Sequence, residues 1–261
     1  MCSTSSISKE QWADTVNNES VQVGLGLAEI ELLGENSQQL DAFFALYTEL
    51  MPDYTNYVER MRQRAMNSVD HDPRFVEHYK LFTVAGKAAG LTTYKYIPAR
   101  RCGLGIDLAV KPEYRGLEVS GFGRLAEYII LSIQKQIIAD AIRLRASVPV
   151  GLFVEVGSER LVARYKEYGF WEIPIEYYEP SFPSDVTAHT EPFDLDKMTF
   201  IRRHVGVFPT DEGTLDPYDQ PLINDMALAF LVDHYGLPVD HWAVQRALES
   251  IEVYCQTGGE E

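Results

Sequence analysis

The part of this sequence that most restricts the fold is a long segment with helical periodicity followed at once by a short apolar run. Residues 121–145 predict a helix because apolar residues recur at helical spacing along one stripe. That stripe consists of Leu125, Ile129, Ile133, Ile137 and Ala141. The run VPVGLFVEV at 148–156 has the length and composition of a buried strand. A helix with one apolar face beside a buried strand indicates helices packed on a sheet.

Strand and helix patterns alternate along the rest of the chain. Up to residue 204 they predict a strand, two helices, three strands, a helix, a strand, a helix and two strands. The predicted ranges are 27–33, 37–51, 54–65, two strands within 80–98, 100–112, 121–145, 148–156, 158–169, 170–180 and 197–205. We therefore expect a mixed α/β sheet and not a repeat protein or a doubly wound nucleotide-binding fold.

Three segments differ in composition. Residues 1–24 are polar and rich in Ser and Asn, as in a loose tail, and residues 25–204 hold the predicted sheet. Residues 205–261 hold two amphipathic helices separated by Gly236 and Pro238, so we treat them as a C-terminal helical extension. The apolar stripes of these helices must be buried against the chain's own sheet or a second subunit.

The chain is strongly acidic. Its 261 residues carry a net charge of −16, and residues 185–261 alone hold 15 acidic against 4 basic residues. This balance argues against nucleic acid or an anionic membrane as partner and favours a cationic substrate, although a solvated acidic surface explains it equally. With no run of 18 apolar residues and no signal-peptide order at the start, we expect a cytoplasmic protein.

Neither cysteine nor histidine spacing indicates a metal site or a disulfide framework. Cys2, Cys102 and Cys255 lie far apart, and the six histidines show no HxH or HExxH pattern. We expect reduced thiols and no bound metal.

The stretch YRGLEVSGFGRL at 114–125 has the composition of an anion-binding loop. Arg115 and Arg124 are cations, and three glycines, Gly116, Gly121 and Gly123, precede a predicted helix N-terminus, where unpaired N–H groups attract phosphate. The alternative is a glycine-rich turn that caps the helix and binds nothing.

The element order, with LAVKPEYRG at 108–116 leading into GFGRL and with ARYKEYGF at 163–170 after a strand, resembles the GNAT superfamily of acyl-CoA-dependent N-acyltransferases. The resemblance covers about residues 27–204 and implies a mostly antiparallel GNAT-like α/β (α+β) sheet flanked by helices. It also implies acetyl-CoA or a longer acyl-CoA as donor. Compared with the family pattern, Leu117, Glu118 and Val119 form an insertion after the Arg-Gly pair, so we expect Glu118 to point away from phosphate.

The resemblance also assigns roles to residues. It places Tyr165 where relatives protonate the leaving thiolate, and the alternative is an aromatic residue that packs against the sheet. Asp107 and Glu155, acids on apolar strands, are alternative general bases, and Asp107 is the favoured one. In relatives, water relays also serve in place of a side-chain base. Ser158 either caps its helix or contacts the pantetheine arm. The residues expected to bind the coenzyme are Leu108, Ala109, Val110, Arg115, Gly116, Ser120, Gly121, Phe122, Gly123, Arg124 and Ser158.

The acceptor is less defined than the donor. We expect a primary amine, such as a Lys or ornithine side chain, a polyamine, a small amine or a basic peptide. Aromatic residues on the strands either line an acceptor groove or belong to the core: Tyr94, Tyr96, Trp171, Tyr177 and Tyr178. We expect the extension either to cover the acceptor cleft or to form a homodimer contact. The resemblance favours the homodimer contact. Two alternatives to an enzyme are a catalytically silent acyl-CoA binder and a protein-interaction module.

Overall fold

The computed structural model describes residues 26–33, 38–66, 74–181, 195, 198–210 and 215–258. The polar tail expected at 1–24 lies outside these residues. Seven strands form one sheet: β1 Leu27–Glu31, β2 Val76–Val84, β3 Lys87–Ile97, β4 Cys102–Val110, β5 Gly151–Val156, β6 Trp171–Ser181 and β7 Thr199–Pro209. The α-helices are α1 Gln38–Leu50, α2 Val58–Met66, α3 Leu125–Leu144, α4 Glu159–Lys166, α5 Gln220–Leu228 and α6 Trp242–Thr257.

The strands lie in the order β1-β2-β3-β4-β5-β7-β6. All neighbouring strands are antiparallel except β4 and β5, which are parallel. The prediction of a mixed, mostly antiparallel sheet flanked by helices is therefore confirmed, as is the order of its elements. Several boundaries differ from the prediction by a few residues. Strand β7 continues past residue 204 to Pro209, and α3 begins at Leu125 and not at 121.

The two faces of the sheet are covered by different helices. On the first, here the α1 face, Asp107 of β4 contacts Tyr47 of α1, and Phe153 of β5 packs against Phe230 after α5, with ring centroids 5.7 Å apart. On the opposite face, here the α3 face, Leu152 and Val154 share a hydrophobic cluster with the buried side of α3. Strand alternation explains this division, because successive side chains point to opposite faces.

Strands β4 and β5 separate soon after they meet. They pair only at Gly103–Gly105 with Leu152–Val154, although β4 continues to Val110. A Cβ at Gly105 would stand 2.7 Å from Val154 Cγ1, so glycine permits the close approach just before the strands part. The register with β3 shifts here, because Thr93 pairs with Asp107 while Tyr94 pairs with Gly105. The resulting bulge at Ile106 bends β4 away from β5 and opens what we call the β4–β5 gap.

The C-terminal helices pack on the α1 face. A π-helical segment, Ala229–His234, continues α5, and Gly236 follows with φ +74°, so the chain can turn toward α6. Buried residues of α5, the π-helical segment and α6 share one hydrophobic cluster with β4, β5, β6 and β7. Of the two burial sites considered for these helices, the chain's own sheet is therefore the one observed. No helix in the described part of the chain is long and apolar enough to cross a membrane.

Candidate active site

A cavity of about 340 Å³ passes through the sheet at the β4–β5 gap. From the α3 face it is lined by Ile130, Ile133, Leu161 and Tyr165. From the α1 face it is lined by residues of α1, of the short 3-10 helix Pro52–Tyr57, of α2, of the strands and of the segment after α5. Among them are Tyr47, Tyr54, Asp107, Glu155 and Tyr235. The volume lies within the range of small-molecule sites, and the cavity joins the two faces of the sheet.

Tyr165 lies at the end of α4, beside the gap. Ser158 caps this helix by accepting a hydrogen bond from Leu161 N at 3.4 Å, so the capping alternative is the one observed for Ser158. The Tyr165 ring packs against Phe208 with centroids 5.4 Å apart, and it also lines the cavity. Burial raises the pKa of Tyr165 to about 12, so the hydroxyl is protonated at neutral pH, as a proton donor must be.

Asp107 lies on β4, where the gap begins. Its carboxyl group accepts hydrogen bonds from Thr93 Oγ1 and, at 3.3 Å, from Tyr47 Oη. Burial raises the pKa of Asp107 to about 6, although both hydrogen bonds act in the opposite direction. Asp107 therefore ionises close to neutral pH.

Glu155 lies on β5, across the gap from Asp107. It accepts hydrogen bonds from Tyr177 Oη at 2.5 Å and from Tyr235 Oη at 2.7 Å. Burial, followed by the nearby charge of Glu179, raises the pKa of Glu155 to about 8. A carboxyl group with a pKa near the working pH can take a proton and release it again.

The backbone of β4 faces the gap at alternate residues. Lys111 N donates to Ala89 O of β3 at 2.9 Å, so the N–H groups of Lys111 and Ala109 face β3. Those of Leu108 and Val110 therefore face the opposite, open side. Of the three β4 residues expected to bind the coenzyme, Leu108 and Val110 direct their N–H groups toward the gap and Ala109 does not.

The glycine-rich loop folds as a small two-stranded ribbon. Glu118–Val119 pairs with Gly123–Arg124 in antiparallel fashion, and Phe122 N donates to Val119 O at 2.9 Å to close the turn. Gly121 and Gly123 have φ of +79° and +77°, a conformation that favours glycine. Ser120 is exposed in the turn. The insertion thus forms one side of the ribbon, and Gly121 and Gly123 allow the chain to turn there.

The ribbon and one acidic side chain occupy the start of α3. Leu125 N donates to Leu117 O at 2.9 Å, and Arg124 N donates to Glu127 Oε2 at 3.3 Å. The Glu127 carboxylate therefore lies at the helix N-terminus, where a phosphate would bind. Glu118, the acid expected to point away from phosphate, is exposed on the ribbon.

The two loop arginines and Gly116 are not gathered around a closed site. Arg115 is exposed, and its Nε donates to Val110 O at 3.1 Å. Gly116 is also exposed, and Arg124 is half-buried in the ribbon. The Phe122 ring anchors the ribbon by packing against Tyr128 of α3, with centroids 5.4 Å apart. The catalytic candidates line the cavity, whereas the predicted phosphate loop lies outside its lining.

Sequence reasoning missed several residues that line the cavity. Arg60 and Arg64 of α2, Glu179 of β6 and Tyr235 of the extension all contribute to its walls. The spacing of Arg60 and Arg64 could have indicated that both lie on one face of the predicted helix, because residues four apart share a helix face. Among the strand aromatics, Tyr94, Tyr96 and Tyr177 are core residues with no exposed surface.

The solved structures to which this chain is similar match it at low sequence identity. No family model and no curated protein matches this sequence. A probable acetyltransferase from Staphylococcus epidermidis is 13% identical, with a TM-score of 0.44 over 71% of this chain and 99% of that one. A spermidine N-acetyltransferase chimera from Vibrio cholerae is 18% identical, with a TM-score of 0.41 over 70% of this chain and 95% of that one.

A tandem GNAT protein from the clavulanic acid biosynthesis pathway is 10% identical, with a TM-score of 0.43 over 59% of this chain. This chain spans 46% of the tandem protein's length. The assignment of fold depends on the observed sheet, which has one parallel pair among antiparallel neighbours and a gap at that pair. The order of α3 after β4 and of α4 after β5 agrees with the GNAT-like sheet that the resemblance implied.

Proposed function

We propose that this chain is an N-acyltransferase that moves an acetyl or longer acyl group from acyl-CoA to a primary amine. The observation that carries the proposal is the single cavity through the β4–β5 gap. Tyr165 lines it from the α3 face, and Asp107 and Glu155 line it from the α1 face. A thioester and an amine that meet in the gap would thus react between a proton donor and two proton acceptors.

Glu155 is the favoured base. An amine attacks a thioester only when neutral, so the proton of its ammonium group must first be removed. Glu155 lines the cavity and has a pKa of about 8, whereas Asp107 has a pKa of about 6. The proton affinity of Glu155 is therefore closer to that of an amine than the proton affinity of Asp107 is. The sequence favours Asp107, but Asp107 has a pKa of about 6 and is the weaker base of the two.

The remaining steps need a hydrogen-bond donor to the thioester carbonyl oxygen, which becomes negatively charged, and a proton for the leaving thiolate. The N–H groups of Leu108 and Val110 face the open side of β4, so they are the candidate donors to the carbonyl oxygen. As the C–N bond forms and the C–S bond breaks, the Tyr165 hydroxyl would give its proton to sulfur. Both events would take place in the gap. The amine nitrogen would lose its second proton to solvent, and the Tyr165 oxygen would regain a proton from solvent.

The donor's diphosphate would bind at the start of α3, with Arg115 and Arg124 as cations. The exposed Gly116, Ser120 and Gly121 leave the ribbon open to an approaching ligand. The Glu127 carboxylate would have to leave the helix N-terminus, because it repels a diphosphate at that position.

The position of Glu127 also favours a second candidate function. If the carboxylate stays at the helix N-terminus, the coenzyme does not bind there, and the chain would act through protein interaction. An acyl-CoA binder without catalysis is intermediate between the two candidates, since it needs the phosphate site but not the base.

The experiment that separates these candidates measures thiol release and binding in parallel. Free thiol would be followed with acetyl-CoA and longer acyl-CoAs against pooled primary amines, and CoA binding would be followed by calorimetry. We expect thiol release that Glu155→Gln abolishes, and CoA binding that Arg115→Glu weakens at least about tenfold by replacing attraction with repulsion. Binding without thiol release would indicate a silent binder, and no binding would indicate an interaction protein.

A further inference from the structure

Aromatic rings and methionine side chains line much of the cavity on the α1 face. What we call the aromatic wall consists of five tyrosines and two methionines: Tyr47, Met51, Tyr54, Tyr57, Met61, Tyr79 and Tyr235. The rings of Tyr54 and Tyr57 lie with centroids 6.3 Å apart and planes tilted by 30°, and both residues are half-buried. Aromatic rings and thioether sulfur atoms make favourable contacts with other rings, so this wall suits an apolar, aromatic ligand body.

Hydroxyl groups of the aromatic wall form hydrogen bonds within the protein. Tyr47 Oη donates to Asp107 Oδ1 at 3.3 Å. Tyr54 Oη accepts from Arg203 Nη2 at 3.2 Å. Because the polar ends of these side chains already have partners, the surface that they offer to a ligand is mainly ring carbon.

Two carboxylates of the cavity are used in ion pairs. Glu179 pairs with Arg203. Glu77 Oε1 lies 3.4 Å from Nζ of the buried Lys95 and 3.6 Å from Arg64 Nη1. An ammonium group of a ligand would have to compete with these cations for either carboxylate, and breaking a buried ion pair is costly.

The two carboxyl groups at the β4–β5 gap accept hydrogen bonds from uncharged hydroxyl groups instead. Asp107 accepts from Thr93 and Tyr47, and Glu155 accepts from Tyr235. With pKa values of about 6 and about 8, Asp107 is mostly ionised and Glu155 mostly protonated at neutral pH. The gap therefore offers one negative charge between them, which matches a ligand with one ammonium group.

Tyr54 connects the aromatic wall to these carboxyl groups. Burial raises the pKa of Tyr54, and the charges of Glu179, Asp107 and Glu155 act in the same direction, against Arg203. Charge effects weaken with distance, so Tyr54 lies near the place where the amine would lose its proton. A ligand held at the gap by its amine would therefore have its body beside this ring.

We propose that the acceptor is a monoamine with an aromatic body. Its amine lies between Asp107 and Glu155, and its ring packs on Tyr54 and Tyr57. This assignment deepens the proposed function and depends on it for the acyl transfer itself. Offset or edge-to-face contact between rings is favourable beyond the burial of their surface, so the wall distinguishes an aromatic ring from an alkyl chain of similar length.

Two other acceptor classes fit this arrangement less well. A polyamine would bring a second ammonium group to the aromatic wall, where cation–π attraction would have to replace both its hydration and a carboxylate. A peptide would bring backbone N–H and C=O groups that need partners, and the hydroxyl groups of Tyr47 and Tyr54 already have theirs. The acceptor class considered from net charge is thereby narrowed from cationic amines in general to aromatic monoamines.

Three amines of similar length test the proposal. They are 2-phenylethylamine, hexylamine and 1,6-diaminohexane, with acetyl-CoA as donor and thiol release as readout. We expect kcat/KM for 2-phenylethylamine to exceed that for 1,6-diaminohexane at least about tenfold and that for hexylamine at least about threefold. Tyr54→Leu and Tyr57→Leu should each raise KM for 2-phenylethylamine about 3- to 10-fold and KM for hexylamine less than about twofold, because leucine keeps an apolar surface but removes the ring.

Tyr218→Leu is the matched control. Tyr218 forms a similar tilted pair with Tyr254, with centroids 5.4 Å apart, but lies outside the cavity lining. Equal or better use of hexylamine or 1,6-diaminohexane would overturn the proposal while leaving acyl transfer intact.

If no amine releases thiol, calorimetry with 2-phenylethylamine decides. Binding that Tyr54→Leu weakens and Tyr218→Leu does not would support the aromatic site even though acyl transfer had failed. Absence of binding, or binding that Tyr54→Leu leaves unchanged, would overturn it.

Discussion

Tyr235 Oη donates a 2.7 Å hydrogen bond to Glu155 Oε2, so a residue of the C-terminal extension contacts the favoured base on the central sheet. Tyr177 Oη, from β6, donates to the other oxygen of the same carboxyl group. The extension therefore does more than cover apolar surface, because it helps to set the ionisation of Glu155. We expect the extension and the site to act as one unit.

Replacing Tyr235 by Phe should shift the pH dependence of acyl transfer. A hydrogen bond to a carboxylate favours its ionised form, so its loss should raise the pKa of Glu155 above about 8. Because the base must be ionised, the rise of kcat/KM with pH should move to higher pH in Tyr235→Phe. Tyr178→Phe is the control, since Tyr178 packs on Trp242 and lies outside the cavity lining. Superimposable pH profiles would mean that Glu155 is not the base.

Replacing Tyr165 by Phe should lower turnover without weakening coenzyme binding. The change keeps the ring that packs on Phe208 and removes the proton that the leaving thiolate needs. We expect kcat to fall about 10- to 100-fold, with Kd for CoA and Tm unchanged. Tyr168→Phe controls for the loss of a nearby hydroxyl, because Tyr168 touches Tyr165 but does not line the cavity. A wild-type rate in Tyr165→Phe would make Tyr165 a packing residue only.

Neutralising Glu127 should strengthen binding of acyl-CoA. Its carboxylate accepts from Arg124 N at the start of α3 and competes with a diphosphate for the same helix N-terminus. Glu127→Gln should lower Kd several-fold, measured by calorimetry at low salt, where charge repulsion is least screened. Glu113→Gln, at an exposed acid before the ribbon, should have a smaller effect. Weaker binding in Glu127→Gln would show that Glu127 supports the site and does not oppose it.

Local periodicity was sufficient to predict the elements but not their contacts. The strands and helices of the sheet domain were predicted from apolar residues spaced two or 3.6 residues apart. The structure contains these elements because each of them buries one apolar face. The sequence places the start of the helix at residue 121, whereas the structure places it at Leu125, because residues 118–124 form the ribbon. The pairing of Glu118–Val119 with Gly123–Arg124 depends on a turn at Gly121. The hydrogen bond from Phe122 N to Val119 O closes this turn, and helical periodicity in the sequence gives no sign of it.

The cavity depended on contacts between residues distant in sequence, which spacing alone does not reveal. Tyr47 reaches Asp107 from α1, and Tyr235 reaches Glu155 from the extension. The bulge at Ile106, which opens the gap, has no residue signature because any residue can occupy such a position. The acids on β4 and β5 were nevertheless identifiable, since a carboxyl group on an apolar strand is unusual.

The buried His78 should make folding stability depend on pH. His78 Nδ1 lies 2.7 Å from Glu31 Oε2, and Nε2 lies 2.8 Å from Asp140 Oδ2. Burial alone would lower the pKa of His78, but the bonds to Asp140 and Glu31 outweigh it and raise the pKa above 6.5. The contribution of this charge is therefore complete below about pH 6.5 and is lost as pH rises through the raised pKa.

Urea denaturation of His78→Gln between about pH 5 and pH 9 checks this prediction. The loss in the free energy of unfolding relative to wild type should be largest near pH 5 to 6 and smaller at pH 9. Glu31 and Asp140, whose pKa values are lowered by His78 against the effect of burial, remain ionised across this range. His204→Gln is the control, at a half-exposed histidine paired with Glu172. A loss that grows with pH would contradict the assigned charge.

Removing one large side chain from the extension should destabilise the whole fold. Phe230 has no exposed surface and packs on Phe153 of β5, so Phe230→Ala leaves a cavity at the joint between extension and sheet. We expect the free energy of unfolding to fall by about 3 to 5 kcal/mol in a single transition, because truncating a buried aromatic loses burial and packing. Val253→Ser, on the outer side of α6 at 61% exposure, should change stability by less than about 0.5 kcal/mol. Denaturation followed by Trp fluorescence and sedimentation would measure both stability and mass. A different result would contradict this prediction. If Val253→Ser lowers the oligomeric mass measured by sedimentation, and Phe230→Ala has little effect on the free energy of unfolding, the extension serves mainly as a contact between subunits.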